Sequence, residues 1–203
     1  MRLFASIDLS DEARAAIAAE QAAIVSSLGD GTRDLKVVRP EHMHLTLAFA
    51  GEATDAVGAA IVESMRLEIA QAPFELAFGG VGTFPPRGAP QVLWLGVIGG
   101  ADGVLALHAT VTGRFEAAGA PQERRSLTPH LTLARWRRRS ASFRLKTTGG
   151  NHRVARVEVA GVTVYQSRLS SSGPTYVRLA HSQLTCPSSL SSPPTSSDPS
   201  RSR

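Results

Sequence analysis

The chain has 203 residues, 42% of them hydrophobic, with 22 Lys and Arg against 17 Asp and Glu for a net charge of +5. This length supports one domain with a substantial core, and no apolar run reaches the roughly 18 residues a membrane-spanning helix needs. The single cysteine, Cys186, excludes an internal disulfide framework and a multi-cysteine metal site.

In chain order, "RLFASIDL" (2–9) alternates and predicts a strand. Asp8, Asp11 and Glu12 interrupt any secretory apolar stretch, so a cytoplasmic location is expected. Ser10 caps a helix that ends near Gly29. "LKVVRPEHMHLTLAFAG" predicts a short strand, a Pro-Glu turn and a second strand from about His42 to Phe49. Residues 55–72 read as a helix with Val57, Ile61, Met65 and Ile69 on one face. "FELAFGGVGTFPP" and "PQVLWLGVI" predict two strands joined by a Pro/Gly loop, and residues 101–119 a third helix with Leu105 and Leu107 on its apolar side. "PHLTLARW", "RVARVEVAGVTVYQSRL" and "TYVRLAHSQL" predict the late strands. The Ser- and Pro-rich residues 185–203 lack periodicity and are expected to form a disordered tail behind a domain spanning 1–184.

One pentapeptide recurs. H-L-T-L-A stands at 44–48 and again at 130–134, each time in a predicted strand. Side chains two apart on a strand share a face. His44 and Thr46 therefore point one way and Leu45 and Leu47 the other, and His130, Thr132, Leu131 and Leu133 repeat the pattern. Histidine titrates near neutrality, so two imidazoles facing one cavity can divide the roles of base and acid. Two hydroxyls beside them can donate to phosphoryl oxygens. The set suits in-line attack on a phosphodiester and requires no metal or other cofactor. The rival reading takes His42 and His44 as an H-x-H zinc pair. It lacks a carboxylate or cysteine cluster, and the second copy has Thr128 where His42 stands. His108, His152 and His181 have no partner pattern and read as structural. Trp94 reads as core, and Trp136 as core or a base-stacking group.

The second copy lies in a basic stretch. Between Pro121 and Lys146, Arg124, Arg125, Arg135, Arg137, Arg138, Arg139, Arg144 and Lys146 face one acid, Glu123. This is either a solvated arginine-rich loop or a phosphate-attracting rim.

The segments "MRLFASIDL", "VRPEHMHLTLAFAGE", "FELAFGGVGTFPPRGAPQVLWLGV", "RSLTPHLTLAR" and "VTVYQSRLSSSGPTYVRL" together resemble the RNA 2′,3′-cyclic phosphodiesterases, also called 2′–5′ RNA ligases, of the two-histidine phosphoesterase superfamily. The resemblance implies an α+β fold of two lobes, each an antiparallel sheet backed by helices, related by a pseudo-twofold about a central cleft. It implies metal-independent hydrolysis of an RNA 2′,3′-cyclic phosphate end to a 2′-phosphomonoester, with 2′–5′ ligation as the reverse reaction. Carried over, His44 is the proton donor, His130 the acceptor, Thr46 and Thr132 contact the phosphate, and Arg135 steers the RNA end. A monomer is expected. Two alternatives remain: an RNA-binding module of the same fold without catalysis, and a two-histidine enzyme acting on another small cyclic nucleotide.

Overall fold

The computed structural model describes residues 1–32, 34–123, 126–137, 152–170 and 173–187. Strand β1 (Arg2–Ile7) leads into helix α1 (Asp11–Ser27). Ser10 caps α1 from an extended backbone, its hydroxyl accepting from the Ala13 amide at 3.2 Å. Asp11 and Glu12 sit in the first turn, where the helix dipole favours negative charge. After β2 (Leu35–Val37), Pro40 opens a single 3₁₀ turn over Pro40–His42, so β3 is Leu45–Glu52 and does not include His42.

Helix α2 covers Asp55–Ser64 and stops well short of the expected residue 72. Of the four residues expected on one face, Val57 is half-buried and Ile61 buried within the helix, Met65 is buried just past its end, and Ile69 reaches the core from beyond it. The helix ends because its acceptors are taken. The Arg114 guanidinium donates to the carbonyls of Ser64 and Leu67 at 3.0 Å each, and to that of Glu68. Ile69–Ala70 then forms the short strand β4.

β5 (Phe74–Phe84) and β6 (Val92–Gly99) precede α3 (Ala101–Ala117). Val104, Leu107, Val111 and Phe115 form the buried face of α3, whereas Leu105 is 41% exposed. At about 100° per residue, Leu105 and Leu107 lie about 200° apart and cannot share a face. The chain closes with β7 (His130–Trp136), β8 (Arg153–Val159), β9 (Gly161–Ser170) and β10 (Gly173–Thr185). Thr185, where the tail was expected to start, is thus the last residue of a strand. Residues 188–203 and 138–151 lie outside the described residues.

The strands follow the order β4-β10-β9-β1-β3-β7-β6-β5-β8, with β2 beside β7. All pairs are antiparallel except β4 with β10. The two expected sheets are the halves of this path, joined at the centre through one pair, Leu45 with Leu131. Each half repeats one unit: two neighbouring antiparallel strands joined by a helix, β1-α1-β3 and β6-α3-β7, with the second strand following or beginning at the repeated histidine. The helices cross over. α1 packs on β8 of the opposite half and α3 on β3.

Both motif strands carry the same irregularity. Against β1, Thr46 pairs with Ser6 and Ala48 with Ala5, leaving Leu47 as an extra residue. Against β6, Thr132 pairs with Trp94 and Ala134 with Leu93, leaving Leu133 extra. A bulge of this kind removes the extra residue from the ladder and re-aims the side chains after it. The crossing helices bind both bulges. His108 Nδ1 of α3 lies 2.7 Å from the Leu47 carbonyl, and Gln21 Nε2 of α1 donates to the Leu133 carbonyl at 2.7 Å and to that of Val38 at 2.9 Å. His108, read from the sequence as structural, is a brace on the first motif strand. Gln21→Leu should cost about 1–3 kcal/mol, because buried carbonyls lose a donor. The check is a lower urea midpoint at unchanged slope.

Candidate active site

Antiparallel pairing of Leu45 with Leu131 organises the centre. Counting outward from that pair sets His44 across from Thr132 and Thr46 across from His130. The leucines point into the core, Leu45 and Leu131 fully buried, as do Leu47 and Leu133 on either side. His44, Thr46, His130, Thr132 and Arg135 all line one cleft of about 920 Å³. Every site residue expected from the sequence is thus brought to one place.

The two imidazoles are held alike. His44 Nδ1 lies 2.7 Å from the carbonyl of His42, and His130 Nδ1 lies 2.8 Å from the carbonyl of Thr128. A carbonyl only accepts, so Nδ1 carries the hydrogen in each ring and Nε2 is left for a ligand. The packing around them differs. Phe4, buried in β1, stacks on His44 with centroids 4.8 Å apart, and Tyr176 meets the same ring edge-on at 5.5 Å. Phe84 meets His130 edge-on at 5.0 Å, with Trp94 behind at 6.2 Å. Trp94 is half-buried against Phe84 and not in the apolar core expected for it. It lies flat over Gly82, where any Cβ would overlap its indole. Trp136, by contrast, is buried in the core.

Burial lowers the pKa of both imidazoles below the ordinary 6.5, because desolvation disfavours the cation. Their charged neighbours differ. Asp8 favours the charged form of His44, while His42 and Arg135 oppose it. His130 has Arg135 opposing its charge. Asp8 is itself held by hydroxyls, accepting from Thr163 at 2.7 Å and from Tyr165 at 3.1 Å. The Tyr165 phenol is pushed up to about 12, first by burial and then by that carboxylate.

Arg135 enters the cleft because of the bulge. Strict alternation from Thr132 would turn position 135 to the opposite face. The extra Leu133 restores it, and Arg135 Nη2 reaches Thr132 Oγ1 at 3.5 Å. The first motif does the same with Phe49, which lines the cleft while 47% exposed. The Arg2 guanidinium lies 5.5 Å above the Phe49 ring and also lines the cleft. Arg2, Phe4, Phe49, Phe84 and Tyr176 were missed from the sequence. The parallel "HLTLAF" and "HLTLAR" was the available signal, and it identifies the sixth position once a bulge is known. Of the eight basic residues between Pro121 and Lys146, Arg135 and Arg137 fall among the described residues, and Arg135 lines the cleft.

Chemically, the cleft offers two imidazole Nε2 atoms, two hydroxyls and a guanidinium around one space. It can take a proton at one ring, give one at the other, and hold an anion between. Among the described residues no group of three or more His, Cys, Asp or Glu side chains comes together. The His42 ring packs against Tyr176 at 4.9 Å, and the H-x-H pair supplies two imidazoles where zinc sites use three or four ligands.

The chain is similar to the RNA 2′,3′-cyclic phosphodiesterase of Aeropyrum pernix, 35% identical over 71% of this chain and 84% of that protein. It is similar to the one of Archaeoglobus fulgidus, 32% identical over 87% of this chain and 96% of that protein. Among solved structures, a Thermus thermophilus protein superposes with a TM-score of 0.70 at 30% identity, covering 90% of this chain and 97% of that one. Escherichia coli LigT complexed with 3′-AMP superposes with a TM-score of 0.71 at 26% identity, covering 91% and 98%. The model of the 2′-5′ RNA ligase superfamily matches residues 8–169, which hold both repeated motifs, and the chain belongs to that superfamily.

Proposed function

We propose that this protein hydrolyses RNA 2′,3′-cyclic phosphate ends to 2′-phosphomonoesters by a histidine acid–base pair. The observation that carries the reading is the matched pair of imidazoles, each tied through Nδ1 to the carbonyl two residues before it, each leaving Nε2 to one cleft. His130 Nε2 takes a proton from water, and the water oxygen attacks phosphorus. The bond from phosphorus to O3′ breaks in line, and O3′ receives the proton from His44 Nε2. The ring at 44 is then neutral and the ring at 130 charged, and exchange with solvent resets them. Thr46, Thr132 and Arg135 hold the non-bridging oxygens, whose charge grows as the fifth oxygen arrives. With the 5′-hydroxyl of a second RNA in place of water, the same ring opening forms the bond from phosphorus to O5′ as the bond to O3′ breaks, and the two RNAs are joined 2′–5′.

The surroundings support this division of labour. Burial, and after it Arg135, disfavours the charged form of both rings, whereas Asp8 favours a charged ring at 44 alone and the bound phosphate anion adds to it. No carboxylate is needed as base, and no metal-bound water enters the scheme.

The test is an oligoribonucleotide ending in a 2′,3′-cyclic phosphate, incubated with the protein in excess chelator. The expected product is the 2′-monoester, formed at a rate the chelator leaves unchanged. A 3′-monoester would reverse the assignment of the leaving oxygen. Activity lost to chelator and restored by zinc would replace the scheme with a metal-dependent one.

A further inference from the structure

The cleft wall beside His44 has more surface than the phosphate chemistry uses. β9 and β10 form a hairpin in which Leu169 pairs with Pro174 and Ser167 with Tyr176. Cross-strand partners share a face, and all four residues line the cleft. Leu169 lines the cleft while 65% exposed. His42 lies against Tyr176 at 4.9 Å with its plane tilted by 56°. Tyr176 and His42 are both half-buried and both line the cleft. Phe4 has its ring occupied on both sides, by His44 at 4.8 Å and Tyr165 at 5.6 Å. Tyr176 meets Phe4 edge-on at 5.0 Å and His44 edge-on at 5.5 Å, and with His42, Leu169 and Pro174 it forms the aromatic and apolar lining of this wall.

In a nucleoside 2′,3′-cyclic phosphate, O3′ and the base belong to the same furanose. If His44 protonates O3′, the sugar stands on the His44 side and the attacking water on the far side of phosphorus. The base is then carried, within the width of one sugar ring, to the wall around His44. Aromatic side chains take bases of any identity, because every base has a π-face.

We propose that the terminal nucleobase of the substrate packs on Tyr176 and His42, with Leu169 and Pro174 covering its outer edge. This rests on the proposed phosphodiesterase reading and adds the nucleoside subsite to it. The site takes purines and pyrimidines alike, since the residues that form it contribute ring and aliphatic surface more than directed hydrogen bonds.

Tyr176 also touches the ring of His44, so a variant there can lose activity by disordering the acid alone. The experiment therefore reads a ratio. The full chain is assayed on adenosine 2′,3′-cyclic phosphate and on glycerol 1,2-cyclic phosphate, which has the same five-membered ester and no base. The unmodified protein is expected to favour the nucleoside at least tenfold in kcat/KM. Tyr176→Ala should lower that ratio about tenfold, the fold-change equivalent of one stacked base, and Tyr176→Phe should keep it. Leu169→Ala, which leaves the His44 contacts in place, should lower the ratio two- to fivefold. Equal losses on both substrates in Tyr176→Ala, together with an unchanged ratio in Leu169→Ala, would reduce Tyr176 to a positioning role and overturn the subsite. If the unmodified protein turns over neither substrate, the phosphodiesterase reading has failed. The subsite is then judged by binding of adenosine 2′-monophosphate against inorganic phosphate: a preference weakened in Tyr176→Ala sustains it, and an unaltered one ends it.

Discussion

Alanine at His44 or at His130 is expected to lower kcat on a 2′,3′-cyclic phosphate end by about 10²–10⁴-fold each, the range for loss of a positioned acid or base. The protein should stay folded in both cases. The leucines beside each histidine carry the core packing, and both rings are only half-buried. The double variant should fall little further than either single one, because acid and base act in one step and their effects are not additive. Residual activity separates the roles. Without His44, the profile should keep its acid limb, where protonation of His130 stops the base, and lose its alkaline limb. Without His130, it should keep the alkaline limb and lose the acid one. Swapped limbs would exchange the two assignments while leaving the site intact. Substrate affinity should change by no more than a few fold in either variant, since Thr46, Thr132 and Arg135 remain. Unchanged turnover in both variants would show that neither histidine is the acid or the base.

The second large effect is on pH. The active free enzyme needs one proton on the pair, and burial holds both imidazoles below 6.5. The singly protonated form is therefore most abundant below pH 6.5. Above that optimum kcat/KM should fall tenfold per pH unit as the acid loses its proton, with both limbs read as apparent values of the pair. The optimum of kcat should lie higher, because bound phosphate stabilises the imidazolium. Arg135 opposes the charge on both rings, so Arg135→Ala should move both limbs of kcat/KM to higher pH. Limbs that stay in place would put the guanidinium electrostatically out of reach. Stability follows the same sign. Between the folded values and 6.5 the unfolded chain binds more protons, so unfolding free energy declines as pH falls through 6.5 and levels off below the folded values. Above 6.5 the two rings add no pH dependence.

Much of the site was legible because it depends on strand periodicity. A histidine and a threonine two apart must share a face, and the intervening leucines must oppose them, so two copies of H-L-T-L imply two similar polar faces. The helical periodicity read over 55–72 also marked Ile61 and Met65 for burial, while Val57 is half-buried and Ile69 is buried on a strand. The length of α2 did not follow, because Arg114, fifty residues away, takes the acceptor at Ser64. Leu105 was misplaced by pairing it with a residue two positions on, a spacing that suits strands. Phe49 and the arrival of Arg135 in the cleft both depend on a bulged residue. A bulge is defined by the partner strand, and no local pattern announces it.

The chain's own order of residues determined that a polar His/Thr face occurs twice on strands, that leucines anchor it, and that the helices bury particular faces. These are consequences of backbone periods of 2 and 3.6 residues acting within a few positions. Only the tertiary structure decided that the two faces adjoin through Leu45 and Leu131, that each motif strand is bulged and braced by a helix from the other half, and that one ring sits among Phe4, Tyr176 and Asp8 while the other sits against Phe84 and Trp94. Those differences arise from contacts across long stretches of chain, where the identity of the neighbour, and with it the local charge and solvation, is set by folding.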